Sequence, residues 1–159
     1  MADLHPDLAT LAPLLGAWTG RGNGEYPTIE PFGYLEEVSF THNGKPFLIY
    51  SQRTRSESGT PLHAEAGYLR MPAPGRVELV LAHPSGVTEI DEGTVAQTGD
   101  GLVIDVRSTS VGLTSSAKDV VALTRSIRVA GTELTYSVAM AAVGQPLQHH
   151  LAATLHRSP

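Results

Sequence analysis

From Tyr34 to His156 the chain is a succession of short segments in which apolar and polar residues alternate, each closed by a turn signal, and few folds accommodate that pattern. Strands are expected near Tyr34 to His42, Pro46 to Thr54, Leu62 to Met71, Arg76 to His83, Val87 to Gln97, Leu102 to Ser108, Val120 to Val129, Glu133 to Ala142 and Leu147 to His156. Between them stand His42-Asn43-Gly44, Ser58-Gly59, Pro72-Ala73-Pro74-Gly75, Gly99-Asp100-Gly101 and Ala130-Gly131-Thr132, all hairpin-like. A first strand near Trp18 to Gly24 brings the total to ten. The expected fold class is all-β: a ten-stranded antiparallel up-and-down β-barrel, the simplest architecture that pairs every edge, forming one domain over residues 1–159. Leu134, Tyr136, Val138 and Met140 make one apolar face and Val77, Leu79 and Leu81 another, and these should line the interior. A barrel of this strand number has a lumen wider than side chains fill, with room for one apolar ligand.

Ahead of the strands, Leu4, Leu8, Leu11, Leu14 and Leu15 recur at helical spacing. A short N-terminal helix or pair of turns is expected, started near Pro6, tightened or ended by Pro13, and able to plug one end of the barrel. In Gly16-Ala17-Trp18-Thr19-Gly20-Arg21-Gly22-Asn23-Gly24, alternate glycines flank the only tryptophan, which suits a sharply coiled strand and an indole filling the closed end. The same stretch is no phosphate loop, because no helix follows it and it lacks the Gly-Lys-Ser/Thr ending. Tyr26 to Phe32 is expected to be a loop.

Charge and cysteine content narrow the chemistry. A net charge of −5 with scattered Lys and Arg argues against nucleic acid as a partner. The absence of cysteine removes disulfides, thiolate nucleophiles, Cys-bound zinc and iron–sulfur centres, so any metal chemistry falls to His, Met or carboxylates. No basic segment leads into a long apolar run and no stretch approaches a membrane span, so the expectation is a cytoplasmic protein with no membrane partner. Glu36 and Glu37 are adjacent on a strand and face apart, which makes them structural or solvated rather than a catalytic pair. Acids and serines are too scattered through turns for a Ser-His-Asp arrangement to be read.

The last strand carries the residues with most chemical interest. Neutral imidazole is an axial ligand for haem iron, and His149-His150 offers two, of which an extended strand turns only one inward. Strict alternation places His149 with Leu147, Leu151, Ala153 and Leu155 on the greasy face and so nominates His149. His150 shares its face with Ala152 and Thr154, small neighbours that leave room for a flat ligand, and a bulge near Pro146 would change which side meets the lumen. On spacing alone both remain open, as does the plainer role of a hydrogen-bonded strand histidine.

Leu14-Leu15-Gly16-x-Trp18-x-Gly20-x-Gly22, Tyr26-Pro27-Thr28-Ile29-x-Pro31-Phe32-x-Tyr34-Leu35-Glu36-Glu37, Gly44-Lys45-Pro46, Leu62-His63-x-Glu65-x-Gly67-Tyr68-Leu69-Arg70 and Gln145-Pro146-Leu147-x-x-His150-Leu151 occur in this order over nearly the whole chain. In these blocks the sequence resembles the nitrobindin family, in its actinobacterial form. The resemblance implies a ten-stranded barrel holding one haem b, with a histidine as the fifth ligand of ferric iron. The matching position is His150, against the parity nomination. It further implies that Thr28 lies against the haem and that Met140 and His63 belong to the pocket. His83 stands where some members carry glutamine, and His156 matches a variable, surface position. The implied activity is isomerisation of peroxynitrite to nitrate, with nitric oxide as a second ligand. A homodimer is compatible with the sequence, although no segment compels one.

Plainer roles exist for each residue. Thr28 would serve as a turn residue and Met140 as core filler, and His63 and His83 would hydrogen-bond at the barrel mouth. Two other functions also fit the same barrel: a carrier of an apolar molecule, with Arg125 or Arg128 and Tyr136 in the lumen, and a nitric oxide sensor or transporter without turnover.

Overall fold

The computed structural model describes residues 2–159. A 3₁₀ helix, Pro6–Leu14, precedes ten strands: β1 Gly16–Tyr26, β2 Ile29–Thr41, β3 Phe47–Arg55, β4 Pro61–Ala73, β5 Arg76–Ala82, β6 Val87–Thr98, β7 Gly101–Leu113, β8 Val120–Ala130, β9 Glu133–Ala142 and β10 Gln148–Arg157. Each pairs antiparallel with its sequence neighbour, and β1 also pairs with β10, closing the barrel. The up-and-down barrel expected from the alternation is therefore the fold. No helix among the described residues is long and apolar enough to cross a membrane.

Two boundaries differ from the sequence reading by more than two residues. The expected loop from Tyr26 to Phe32 is mostly strand: Tyr26 pairs with Ile29, and only Pro27 and Thr28 form the connection. Pro27 has its φ already set for a tight turn, and the flanking residues join the β1–β2 ladder despite a register shift after Gly24. β7 also runs past Ser108 to Leu113, because Val111, Gly112 and Leu113 continue the ladder with β6. The connection to β8 is shorter than its Gly and Ser content suggests.

The 3₁₀ form of the N-terminal helix follows from its spacing. Leu8, Leu11 and Leu14 recur every third residue, which at three residues per turn stacks them on one face, and all are fully buried. Burying each contributes about 2 kcal/mol, enough to hold a helix type that is weak in isolation. Trp18 lies against this plug and donates Nε1–H to the Leu14 carbonyl at 2.8 Å. The Arg157 guanidinium covers the indole at 4.3 Å and donates to the Pro13 carbonyl at 2.7 Å, so the end of β10 clamps the plug in place.

The glycines of β1 let neighbouring side chains and backbone lie against the strand. Trp18, Gly20, Gly22, Gly24 and Tyr26 share the inward parity of the strand. A Cβ on Gly22 would overlap the Tyr34 ring and one on Gly24 the Phe32 ring, so the bare backbone lets these rings lie across it. At Gly20 the close neighbour is the backbone of Thr154 on β10.

Candidate functional site

Away from the plug, the barrel contains a cavity of about 390 Å³. Its walls are largely apolar, with Ile29, Phe32, Leu123, Val138, Met140 and Leu151 among them. Thr28, His63, His83, Met140 and His150, the residues singled out by the resemblance, all line it. They come from the β1–β2 turn, β4, the residue that follows β5, β9 and β10, so only the closed sheet brings them together.

A β-bulge decides which histidine enters. His149 pairs with Ala139 and Leu151 with Val138, leaving His150 as an extra residue with no partner on β9. The bulge breaks strict alternation, and His150 and Leu151, consecutive in sequence, both face the cavity. His149 is exposed on the outer surface, near Ser126, Ser137 and Ala139. Leu147, which parity had counted as inward, precedes β10 and is half exposed.

The imidazole of His150 is held by its neighbours. Nδ1 lies 2.9 Å from the Glu25 carbonyl, an acceptor only, so Nδ1 carries the proton and Nε2 keeps its lone pair. Among the described residues Nε2 has no hydrogen-bond partner. The Tyr26 ring packs edge-on against it, with centroids 5.3 Å apart. Tyr26 is itself fixed, because its hydroxyl accepts from the Ala142 amide at 2.9 Å and donates to the Met140 carbonyl at 3.0 Å. Met140 already pairs with Gln148 at the start of β10, but Ala142 lies beyond it, so the tyrosine ties β1 to the end of β9. Burial lowers the His150 pKa, with the Glu25 hydrogen bond opposing, so the ring is neutral at pH 7.

Facing this wall are the two other histidines. His63 Nε2 and His83 Nδ1 are 3.1 Å apart, and His83 Nε2 donates to Glu89 at 2.7 Å. Thr28 is exposed at the turn, and Met140 is half-buried. His156 is exposed on the outer face of β10, as expected.

Beneath the cavity lies a buried polar layer that the sequence reading did not assemble. Arg125 reaches both oxygens of Glu65, at 3.1 and 3.2 Å, and also contacts Glu89 and Asp91. Glu36 accepts from Tyr136 at 2.7 Å and from Gln52 at 2.7 Å, and the Tyr34 and Tyr136 hydroxyls are 2.7 Å apart. Tyr50 donates to Glu65 at 3.0 Å. The visible signal was polar residues at inward parity in otherwise apolar runs, as in Tyr34-x-Glu36-x-Val38-x-Phe40. Which inward polar groups meet depends on six different strands. Glu37 points outward and pairs with Arg53 and Arg55, so the adjacent glutamates do face apart.

This layer sorts its carboxyls by their partners. Burial raises the Glu36 pKa to about 7, only partly offset by the Tyr136 and Gln52 hydrogen bonds. Burial would raise Glu65 too, but Arg125, His63 and His83 override it and hold the carboxylate well below the usual range. Glu89 is likewise lowered by Arg125 and His83 against its own burial. Burial and the neighbouring Glu89 charge raise Asp91. Arg125 is thereby surrounded by acids, and Arg128 is exposed on the outer face, so among the described residues neither of these two arginines offers the lumen an unpaired cation.

A closed barrel with an apolar-walled cavity, presenting one neutral imidazole whose outer nitrogen is pinned and whose inner nitrogen is free, is a binding barrel suited to a metallated, largely apolar ligand. The chain belongs to the family described as the THAP4-like, heme-binding beta-barrel domain, whose model matches residues 7–157. It is 67% identical to peroxynitrite isomerase 1 of Mycolicibacterium paratuberculosis, over 98% of this chain and 97% of that one. It is 61% identical to the peroxynitrite isomerase of Nocardia farcinica, over 97% of this chain and 92% of the relative. The crystal structure of Rv2717c from M. tuberculosis superimposes with a TM-score of 0.97 at 60% identity, covering 99% of this chain and all of the other. The resemblance read from the sequence blocks is borne out.

Proposed function

We propose that this chain binds one haem b in the 390 Å³ cavity through His150 Nε2 and isomerises peroxynitrite to nitrate there. The observation that carries the reading is the bulge at His150, which turns the ring inward while Glu25 fixes its tautomer. A backbone acceptor on the far nitrogen of a ligating histidine is the outer contact that orients such ligands and raises their basicity. The donor set fits: a neutral imidazole, a methionine, and apolar walls from Ile29, Phe32, Leu123, Val138 and Leu151. A ferric haem held there by His150 would supply a cationic centre able to bind small anions and nitric oxide.

The chain's own residues then have distinct tasks. His150 holds and orients, and Tyr26 and Glu25 keep it there. Met140, Leu123 and Val138 exclude water from the wall. Thr28 presents a hydroxyl at the mouth, while His63 and His83 make the facing wall polar. Peroxynitrite and nitrate have the same atoms and charge, so no reductant or proton is consumed and no redox partner is required. The 60–67% identity to proteins named peroxynitrite isomerase supports the reaction.

Nitric oxide binding, a cytoplasmic location and a homodimer belong to the same reading. The outer face carries exposed Arg21, Arg53 and Arg55, suiting an aqueous surrounding. It also carries one apolar cross-strand row, Ile49, Tyr68, Val80 and Ile90, as the surface for self-association. Fractionation of cells and sedimentation at several concentrations test these two.

The central test is reconstitution with ferric haem, followed by Soret absorption and by nitrate yield from peroxynitrite. His150→Ala is expected to lose the Soret band, and His149→Ala to keep it. The reverse pattern overturns the assignment of the ligand. Haem bound with no gain in nitrate over buffer leaves a nitric oxide sensor or transporter instead.

A further inference from the structure

The pair of histidines facing His150 has more order than a polar wall requires. His63 and Glu65 are two residues apart on β4 and both turn inward, and His83 follows directly on β5, whose Ala82 pairs with Ala66. His63 Nε2, His83 Nδ1 and Glu65 Oε2 form a triangle with edges of 3.1, 3.6 and 3.7 Å. Donors held about 2.1 Å from a tetrahedral ion lie about 3.4 Å apart, so each observed edge is within about 0.3 Å of that requirement.

We propose that His63, Glu65 and His83 form a divalent transition-metal site, with an open coordination position facing the cavity across from His150. It does not rest on haem binding and involves none of the atoms that position His150.

The surroundings are arranged as an outer shell. His83 Nε2–H donates to Glu89 at 2.7 Å, which forces the Nδ1 lone pair toward His63 and Glu65. Glu65 Oε1 accepts from Arg125 Nη1 at 3.1 Å and from Tyr50, and Oε2, which accepts from Arg125 Nη2 at 3.2 Å, lies beside the imidazoles. Without an ion, a single proton between His63 Nε2 and His83 Nδ1 holds the rings together. Moving that proton to the other nitrogen of His63 presents both lone pairs to one point, and no net proton need leave. Arg125 opposes a cation, but its single charge faces two ionised carboxylates, Glu65 and Glu89, so negative charge remains for the ion. Two imidazoles and one carboxylate without thiolate select zinc or ferrous iron over calcium or magnesium. The open position would take water or a small anion.

The experiment uses the untagged full chain, first haem-free and then haem-loaded, titrated with Co²⁺ followed by Zn²⁺. The expected result is a visible d–d spectrum of low-coordinate cobalt saturating at about one equivalent, bleached by zinc. His63→Ala and His83→Ala should each weaken binding by more than tenfold, and Glu89→Gln, which disturbs only the outer shell, by about tenfold. His149→Ala should leave it unchanged. Anomalous diffraction from a zinc-soaked native crystal provides a readout that needs no variant, with the peak expected about 2.0–2.2 Å from all three donor atoms. Absence of saturable cobalt absorption, binding undiminished in the His63→Ala/His83→Ala chain, or an anomalous peak elsewhere overturns the site. Haem uptake is read separately in the Soret region, so failure of the haem reading leaves this test intact.

Discussion

Replacing Glu36 with glutamine should stabilise the protein above neutral pH and have little effect near pH 5. Glu36 is only 2% exposed and its pKa is raised to about 7 from an ordinary 4.5, chiefly by burial. In the folded state it therefore holds its proton more tightly than in the unfolded chain. As pH rises from about 4.5 to about 7, the unfolded chain releases that proton first, so stability falls across this window and levels off above it. The difference between the two values corresponds to about 3 kcal/mol. Glutamine has no proton to lose and keeps the shape. Its oxygen can still accept from Tyr136, and its amide can donate to Gln52 Oε1, a buried atom with no partner among the described residues, if the Gln52 amide turns over. Urea unfolding of haem-free wild type and Glu36→Gln, run between pH 5 and 8, measures the gap directly and excludes ligand linkage. Glu65 and Glu89, whose pKa values are lowered, act below the ordinary carboxylate range, where stability is lost as pH falls, and Asp91 is common to both chains. Their effects cancel in the difference. The gap should open between pH 5 and 7 and favour the variant by up to about 3 kcal/mol at pH 8. A gap that is independent of pH, or one that favours the wild type at pH 8, would show that Glu36 does not titrate in this way.

Two further outcomes follow from the rim and the plug. Tyr26→Phe removes the hydroxyl that joins β1 to the Ala142 amide and Met140 carbonyl, and should cost about 1–3 kcal/mol with faster amide exchange at Ala142, measured by hydrogen exchange. Unchanged protection there would mean that the rim is held without Tyr26. Leu11→Ala leaves a hole under the fully buried face of the plug and should cost about 2–5 kcal/mol by urea unfolding, with the Soret band of haem-loaded protein little altered because the plug lies at the other end.

Much of the barrel was legible because its information is local. Alternation along Leu134-Thr135-Tyr136-Ser137-Val138 reports which way each side chain faces, and glycine-containing turns report where strands end. The site was less legible for the same reason. Parity along β10 nominated His149, and one unpaired residue reversed the answer, since a bulge is a property of the β9–β10 ladder rather than of β10 alone. The small neighbours of His150 and a bulge near Pro146 kept it open, and the resemblance of the Gln145-to-Leu151 block favoured it. Arg125 illustrates the limit further: it reads as a free lumenal cation, yet Glu65, Glu89 and Asp91 surround it from two other strands.

The sequence by itself determined that this chain closes ten strands around an apolar lumen and caps one end with leucines at every third position, because burial of a one-sided pattern needs only near neighbours along the chain. The tertiary structure alone decided which imidazole enters that lumen, which acids hold their protons and which surround Arg125. Those outcomes depend on distances across the barrel and on the removal of water, and neither is encoded at any single stretch of chain.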